Sequence, residues 1–396
     1  MEKFVCDYPW THFEVNNPDG TVSMCCDNPT PLGNVNQATI GEIWNGPAYQ
    51  AIRRQMRDQG AQAICPPSCP VMAGGKAYQR LDWIDQLDPA GPALANAELN
   101  QREFAAGSLR LESLPRWMRF AYSYACNLDC YHCYQREDAT AHRTLPDSFL
   151  AEAREMAPLF QVIFPFGGEP FLFKPVSDFL DQTPVDPGCR YFFVTNATLL
   201  NDRVFGMLER QRLGMIAVSL DAADGPTFDE LRRRGRQADW EALLANLARL
   251  QDLRCRKGFV FTLSMTVNRR NHDQIDRFVD LALGFDAEPL LVLVTNPYQT
   301  AAFQRDFLHF SPEQFATMAA QIESALPKVR ARGFHEAETF LEELRRCLAS
   351  HRAGANSPLR FALRKTVRQV LARLPEPVAV RVMPYLRWWW YRLHQG

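Results

Sequence analysis

Trp117-Met118-Arg119-Phe120-Ala121-Tyr122-Ser123 runs through Tyr124 and Ala125 into Cys126-Asn127-Leu128-Asp129-Cys130-Tyr131-His132-Cys133. An apolar, strand-like stretch thus leads into three cysteines spaced C-x3-C-x2-C. Close thiols are metal ligands, but structural zinc sites are closed by four protein ligands, which makes three an awkward number. Three thiolates suit a [4Fe–4S] cluster that leaves one iron open to a non-protein ligand. An open iron marks a reactive site.

Outward from this loop, residues 116–300 repeat short apolar runs separated by amphipathic segments. Strands are predicted at Trp117–Ser123, Val162–Phe166, Tyr191–Thr195, Met215–Leu220, Phe259–Thr266 and Leu290–Val294. Helices are predicted at Pro146–Ala157, Val176–Asp181, Asp202–Arg210, Trp240–Leu250 and His272–Leu283. Such alternation implies βαβ units and a parallel sheet. Six units are too few for an eight-stranded barrel, so the expected fold is α/β, a partial (β/α)6 TIM-like barrel.

Parallel α/β folds collect chemistry at the carboxyl ends of their strands. Here those ends are polar or glycine-rich: Gly167-Gly168-Glu169-Pro170, Thr195-Asn196, Ser219 and Asp221, Thr266 and Asn268, Thr295 and Asn296. Gly167 and Gly168 leave backbone open to a ligand's approach, and Glu169 is a carboxylate able to receive an ammonium group.

Upstream, residues 1–75 read as a small metal-stapled module. Apolar residues around Trp10, Phe13 and Val15, the turn Asn17-Pro18-Asp19-Gly20 and the run Thr21–Met24 predict a hairpin. It is expected to carry Cys6 on one strand and Cys25 and Cys26 at the end of the other. A helical turn at Ile40–Trp44, a helix from Pro47 to about Gln59, then Cys65 and Cys69 complete the segment. A segment this short has little core of its own, so a metal held by Cys6, Cys25 or Cys26, Cys65 and Cys69 would supply much of its folding energy. Spacing alone leaves zinc and iron–sulfur both open. Residues 76–115 read as a connector, with a helix over Ala93–Phe104 and no assigned chemistry.

Residues 301–396 are expected to form a helical, basic C-terminal extension, with helices at Pro312–Ala325, Glu336–Ser350 and Leu359–Leu374. Its end, Arg387-Trp388-Trp389-Trp390-Tyr391-Arg392, is basic and aromatic, the composition of a contact for a partner or membrane surface. The plainer expectation is a helix packed over the open side of the barrel.

Net charge is −1 and pI about 6.7, which gives no electrostatic case for nucleic-acid binding. No apolar run approaches a membrane span, and the start Met1-Glu2-Lys3-Phe4 does not read as a signal peptide. Eight of the eleven cysteines fall in two groups, the pattern of ligands in a reducing compartment, and a cytoplasmic location is expected.

The loop Cys126-Cys130-Cys133, Gly-Gly-Glu-Pro at 167–170, Thr-Asn-Ala-Thr-Leu-Leu at 195–200 and Ser-Leu-Asp at 219–221 occur in the order of the radical S-adenosylmethionine (SAM) enzymes, which this chain resembles. The resemblance implies that Cys126, Cys130 and Cys133 bind a [4Fe–4S] cluster whose fourth iron is chelated by SAM. It implies that Gly167, Gly168 and Glu169 contact the SAM amino group, and that Ser219 and Arg232 reach its ribose and carboxylate, with Arg233 or Arg234 as alternatives to Arg232. Asn196 and Asn268 are weaker candidates. His132 stands where the family has a larger aromatic near adenine. No catalytic acid or base is assigned.

The N-terminal spacing is similar to the opening of SPASM and twitch modules. That likeness favours an auxiliary [4Fe–4S] cluster on Cys6, Cys25, Cys65 and Cys69 over zinc. A small-molecule or peptide substrate and an electron donor such as flavodoxin or ferredoxin follow from the same resemblance. The implied reaction is reductive cleavage of SAM and abstraction of hydrogen from a C–H bond of a small metabolite, sugar or natural-product intermediate. Alternatives are a maturase of a ribosomally made peptide or a non-catalytic zinc-stapled interaction protein.

Overall fold

The structure is a computed structural model that describes residues 5–26, 28–65, 69, 89–183, 188–233, 239–293 and 310–354. The expected hairpin forms: β1 (His12–Val15) and β2 (Thr21–Cys25) pair antiparallel, and β3 (Asn28–Asn34) adds to β2. Gly20 turns this hairpin at φ +84°, where a side chain would collide with Asn34 and Asn36. Cys6 is not on a strand, contrary to expectation. It precedes a short helix, α1 (Tyr8–Thr11), which also takes up Trp10; Pro9 sits in that helix's first turn, where its missing N–H costs nothing.

The predicted helices α2 (Ile40–Trp44) and α3 (Pro47–Gln59) follow, α2 closed by a reciprocal cap between Thr39 and Glu42. Next comes α4 (Gly91–Ala105), the helix of the connector. Its asparagines are structural: Asn96 Nδ2 donates to the carbonyls of Leu114 and Leu159, and Asn100 Nδ2 to the carbonyl of Trp10 and to Ser113 Oγ. The connector therefore ties the N-terminal segment to the barrel through buried amides that would be costly to leave unmade.

The six predicted barrel strands all form, within two residues at each end: β4 (Trp117–Ala121), β5 (Val162–Phe166), β6 (Arg190–Thr195), β7 (Leu213–Ser219), β8 (Val260–Val267) and β9 (Glu288–Leu293). They are parallel and in sequence order. The intervening helices are α5 (Asp147–Met156), α6 (Lys174–Gln182), α7 (Asp202–Arg210), α8 (Trp240–Lys257) and α9 (Ile275–Gly284). Helix α8 outruns its predicted end and stops where Gly258 takes a left-handed φ of 71°.

The strands of the N-terminal segment join the barrel's sheet. β1 lies parallel to β4, with His12 opposite Trp117 and Val15 opposite Phe120, so one nine-stranded sheet runs β3-β2-β1-β4-β5-β6-β7-β8-β9. Trp10, Phe13, Trp44 and Tyr49 belong to the same apolar core as Phe120, Phe160 and Phe193. Arg53 is fully buried, its guanidinium over Trp44 and Tyr49 and donating to the carbonyls of Pro9 and Leu109. The segment thus has a core because it borrows the barrel's.

Strand alternation divides the sheet. Phe120, Tyr191, Phe193 and Leu263 pack toward the helices, whereas Trp117, Val162 and Phe192 form a small cluster on the other face with Phe164 and Met215. On that second face Val194, Val260 and Val292 remain 36%, 49% and 39% exposed, so it is open. Helices α10 (Pro312–Ala331) and α11 (His335–Gly354) flank the β9 end. Lys328 of α10 joins Asp276 and Asp280 of α9, and the Ala337 N–H donates to Glu288 of β9. Among the described residues no helix is long and apolar enough to cross a membrane. The predicted helix Leu359–Leu374, the aromatic tail, Arg234, Thr295 and Asn296 lie outside the described residues.

Candidate functional site

The three-cysteine loop leaves the carboxyl end of β4 and is held from three sides. Tyr124 donates through its hydroxyl to Asn16 O and Asn17 Oδ1 of the hairpin turn. The N–H groups of Gly168 and Glu169 reach back to the carbonyls of Ser123 and Ala125, at 3.0 and 3.3 Å. The backbone amides of Asp129 and Tyr131 donate to the carbonyls of Arg232 and Leu231, in a π-helical turn, Asp229–Arg233. Single π-turns recur at functional sites.

Gly167 and Gly168 are also closely approached from within the chain. A Cβ at Gly167, whose φ is +136°, would stand 2.2 Å from Ser123 O; at Gly168 it would stand 2.1 Å from Ala125 O and 2.4 Å from Tyr124 O. What approaches these glycines is the backbone leading into the cysteines.

Cys126, Cys130 and Cys133 are each half-buried and lie within electrostatic reach of one another. Burial pushes the Cys130 thiol up to about 11, with Arg232 the main opposing charge. Burial also raises Cys126, opposed first by the Leu128 N–H, which lies 3.4 Å from its Sγ. Bound iron reverses such shifts, because a coordinating thiol is deprotonated outright. Three gathered thiols, a neighbouring guanidinium and N–H donors to sulfur fit an iron–sulfur cluster.

Glu169 is fully buried at the end of β5. Oε1 accepts from Thr195 Oγ1 at 2.8 Å and from the Phe171 N–H at 3.3 Å; Oε2 accepts from the Asn196 N–H at 2.8 Å. Burial nevertheless pushes its pKa up to about 7, against these bonds and the charge of Arg232. Asn196, at the end of β6, turns its Nδ2 to Asn127 Oδ1 at 2.9 Å and to Cys126 Sγ at 3.7 Å. Arg232 is buried, its Nη1 donating to the carbonyl of Ser219 and its Nε to Asp221 Oδ2 at 3.0 Å. The structure therefore brings Glu169, Asn196 and Arg232 to the cysteine loop, with Ser219 beneath the arginine. Asn268 is not part of this group: it builds a turn with Arg270 and Asn271.

The residue whose role sequence reading left unassigned is Asp221. Its carboxylate accepts from His132 Nε2 at 2.9 Å, Arg232 Nε at 3.0 Å and the Thr266 N–H at 2.7 Å. It is buried and sits at φ +60°, uncommon for a residue other than glycine but one that aspartate tolerates. Despite burial, Arg232 and His132 hold its carboxyl well below the usual range. The sequence placed it at a polar strand end and in the Ser-Leu-Asp run at 219–221.

A second group of thiols forms upstream. Cys65 is pushed above the ordinary thiol range first by a hydrogen bond with Cys69, then by burial and the proximity of Cys6, Cys69 and Cys25. These four converge from α1's approach, the end of β2 and the segment after α3. Cys26 is exposed, and its electrostatic neighbour is Tyr134, adjacent to Cys133. Because β2 runs antiparallel to β1, which is parallel to β4, Cys25 lies toward the amino end of the sheet and the three-cysteine loop at the carboxyl end.

Comparison with known proteins gives the same division. Residues 121–282 match the model of the radical SAM superfamily, and residues 6–70 match that of an iron–sulfur cluster-binding domain, SPASM. Among curated proteins the chain is similar to the AdoMet-dependent heme synthase of Methanosarcina barkeri, 28% identical over 179 residues, 44% of this chain and 49% of that protein. It is also similar to the mycofactocin maturase MftC of Mycolicibacterium smegmatis, 28% identical over 204 residues, 50% of each. The chain spans about half the length of the curated relatives it matches. A solved structure, Streptococcus suis SuiB bound to S-adenosylmethionine, aligns over 72% of this chain and 63% of its own, with 17% identity and a TM-score of 0.41.

Proposed function

From a chain that carries a radical SAM domain behind an N-terminal SPASM domain, we propose an enzyme that cleaves S-adenosylmethionine reductively and abstracts hydrogen from a substrate C–H bond. The observation that carries this reading is the convergence of Cys126, Cys130 and Cys133 with Glu169, Asn196 and Arg232 at the strand ends. A reduced cluster with SAM, when bound, supplies a 5′-deoxyadenosyl radical; the protein supplies orientation and exclusion of water.

In this reading the three cysteines hold the cluster, and the lack of a fourth thiol in the loop leaves the iron to which SAM binds. Asn196 donates to the Cys126 sulfur, and Arg232 sets a positive charge beside Cys126 and Cys130. Glu169 takes the SAM amino group as a hydrogen-bond donor. Ser219 lines the same end of the sheet. The open face bearing Val194, Val260 and Val292 receives the substrate, and Arg119, ion-paired to Glu14 and lying over Phe166, is its polar feature.

Cys6, Cys25, Cys65 and Cys69 hold the auxiliary cluster. The match of residues 6–70 to an iron–sulfur cluster-binding domain supports iron–sulfur over zinc. With four cysteines the auxiliary cluster has no open iron for substrate, which favours electron transfer as its task.

For the substrate we infer a small metabolite or natural-product intermediate. A second reading, maturation of a ribosomally made peptide, is favoured by the likeness to a curated maturase. Full-length chain reconstituted with iron and sulfide under anaerobic conditions tests the proposal. Dithionite-dependent 5′-deoxyadenosine from SAM, lost in Cys126→Ala, is expected; equal product from the variant, or none from the parent, contradicts it.

A further inference from the structure

Between the ligand cysteines Cys130 and Cys133 the loop carries a side chain that reaches away from the thiols. His132 Nε2 lies 2.9 Å from Asp221 Oδ2, and both side chains are nearly inaccessible, 11% and 2% exposed. The same oxygen takes Arg232 Nε at 3.0 Å, while Oδ1 takes the Thr266 N–H at 2.7 Å. Asp221 is itself fixed at both ends of its peptide. Its N–H donates to Ser264 O at 3.2 Å, and its carbonyl accepts from Asn271 Nδ2 at 2.9 Å. The left-handed backbone at Asp221 aims the carboxylate into this junction rather than along the strand.

Other ties hold the earlier parts of the loop. Asn127 braces its beginning through Thr198, and backbone bonds from Asp129 and Tyr131 hold its middle to the π-turn. His132 links its last third to the barrel, alongside Tyr131, whose ring lies under the Arg270 guanidinium. The π-turn is joined to the same carboxylate through Arg232. One anion therefore ties together the cysteine loop, the π-turn and β8.

We propose that Asp221 is a positioning residue for the open-iron cluster: through His132 it clamps the loop bearing Cys130 and Cys133, and through Arg232 it balances the charge beside the thiolates. The inference rests on the reading that these cysteines hold a cluster. It adds two separable roles to that reading, one mechanical and one electrostatic. His132→Phe keeps an aromatic ring but cannot donate to Asp221. His132→Gln places an amide N–H near the position of Nε2 and restores the tie. Asp221→Asn removes the negative charge and leaves Arg232 uncompensated, which favours the reduced, more negative cluster.

The test uses the full chain reconstituted anaerobically, with iron content, electron paramagnetic resonance of the reduced cluster and its midpoint potential as readouts. His132→Phe is expected to lose iron from the open-iron site on gel filtration and to broaden its resonance, with His132→Gln close to the parent. Asp221→Asn, with iron retained at the parent level, is expected to move the midpoint to a more positive potential. Parent-like iron retention and spectrum in His132→Phe overturns the clamp. An unmoved midpoint in Asp221→Asn overturns the charge balance; should that variant not fold, the two His132 variants decide. A parent chain that takes up no iron at this loop defeats the underlying cluster reading instead.

Discussion

Asn196 Nδ2 stands 3.7 Å from Cys126 Sγ and 2.9 Å from Asn127 Oδ1, so one amide braces the first ligand cysteine from a strand two positions away in the sheet. Hydrogen bonds to cluster sulfurs stabilise the reduced state and raise its potential. Asn196→Asp keeps the acceptor that serves Thr198 but loses the donor and adds a charge. It should lower the midpoint potential of the SAM-site cluster in a spectroscopic redox titration, with about eight irons retained.

Gly168 packs against the backbone entering the cysteine loop, where an added Cβ would stand 2.1 Å from Ala125 O. Backbone cannot swing aside as a long side chain can. Gly168→Ala should therefore push the loop off its seat and lose about four of about eight irons, leaving the N-terminal cluster in place. Iron analysis paired with Cys126→Ala checks this, since the two variants should lose the same four.

Glu169 gives a pH signature. Burial lifts its pKa from 4.5 to about 7. The folded chain thus holds a proton that the unfolded chain has already released between those values. The proton's contribution to stability is full below about 4.5 and lost as pH rises through about 7, at roughly 3 kcal/mol if the whole shift is expressed. The protonated carboxyl band in the infrared difference between the cluster-free parent and Glu169→Gln should titrate near pH 7. A band already gone by pH 5 would refute it.

At the N-terminal site, Cys25 belongs with Cys6, Cys65 and Cys69 while Cys26 is exposed. Cys25→Ser should lose about four irons and Cys26→Ser none. Equal losses would mean that the two cysteines share the ligand role.

Much of this was legible in the residues. The alternation of apolar runs with amphipathic segments located all six barrel strands, because buried parallel strands are near-continuous apolar stretches. The three-cysteine loop and the polar strand ends were equally plain, since a spacing of ligands survives any error in strand limits. β3 was not legible: Pro29, Pro31 and Gly33 are poor strand formers, tolerated on a sheet edge where N–H groups need no partner. Nor was the pairing of β1 with β4, a parallel contact between segments about a hundred residues apart that no local pattern encodes. The role of Asp221 stayed hidden for a related reason. Its importance lies in three partners drawn from the loop, the π-turn and β8, and an aspartate after a strand ordinarily reads as the start of a loop.

The central claim is that two clusters are bound and that one of them keeps an iron open for SAM. The most direct measurement is electron paramagnetic resonance of the dithionite-reduced, reconstituted chain with and without SAM, on the parent and on Cys126→Ala. The account predicts two overlapping signals in the parent, one of which changes when SAM is added, and in Cys126→Ala a single signal indifferent to SAM. A colourless, zinc-loaded parent, or a parent whose spectrum SAM leaves unchanged, would contradict it.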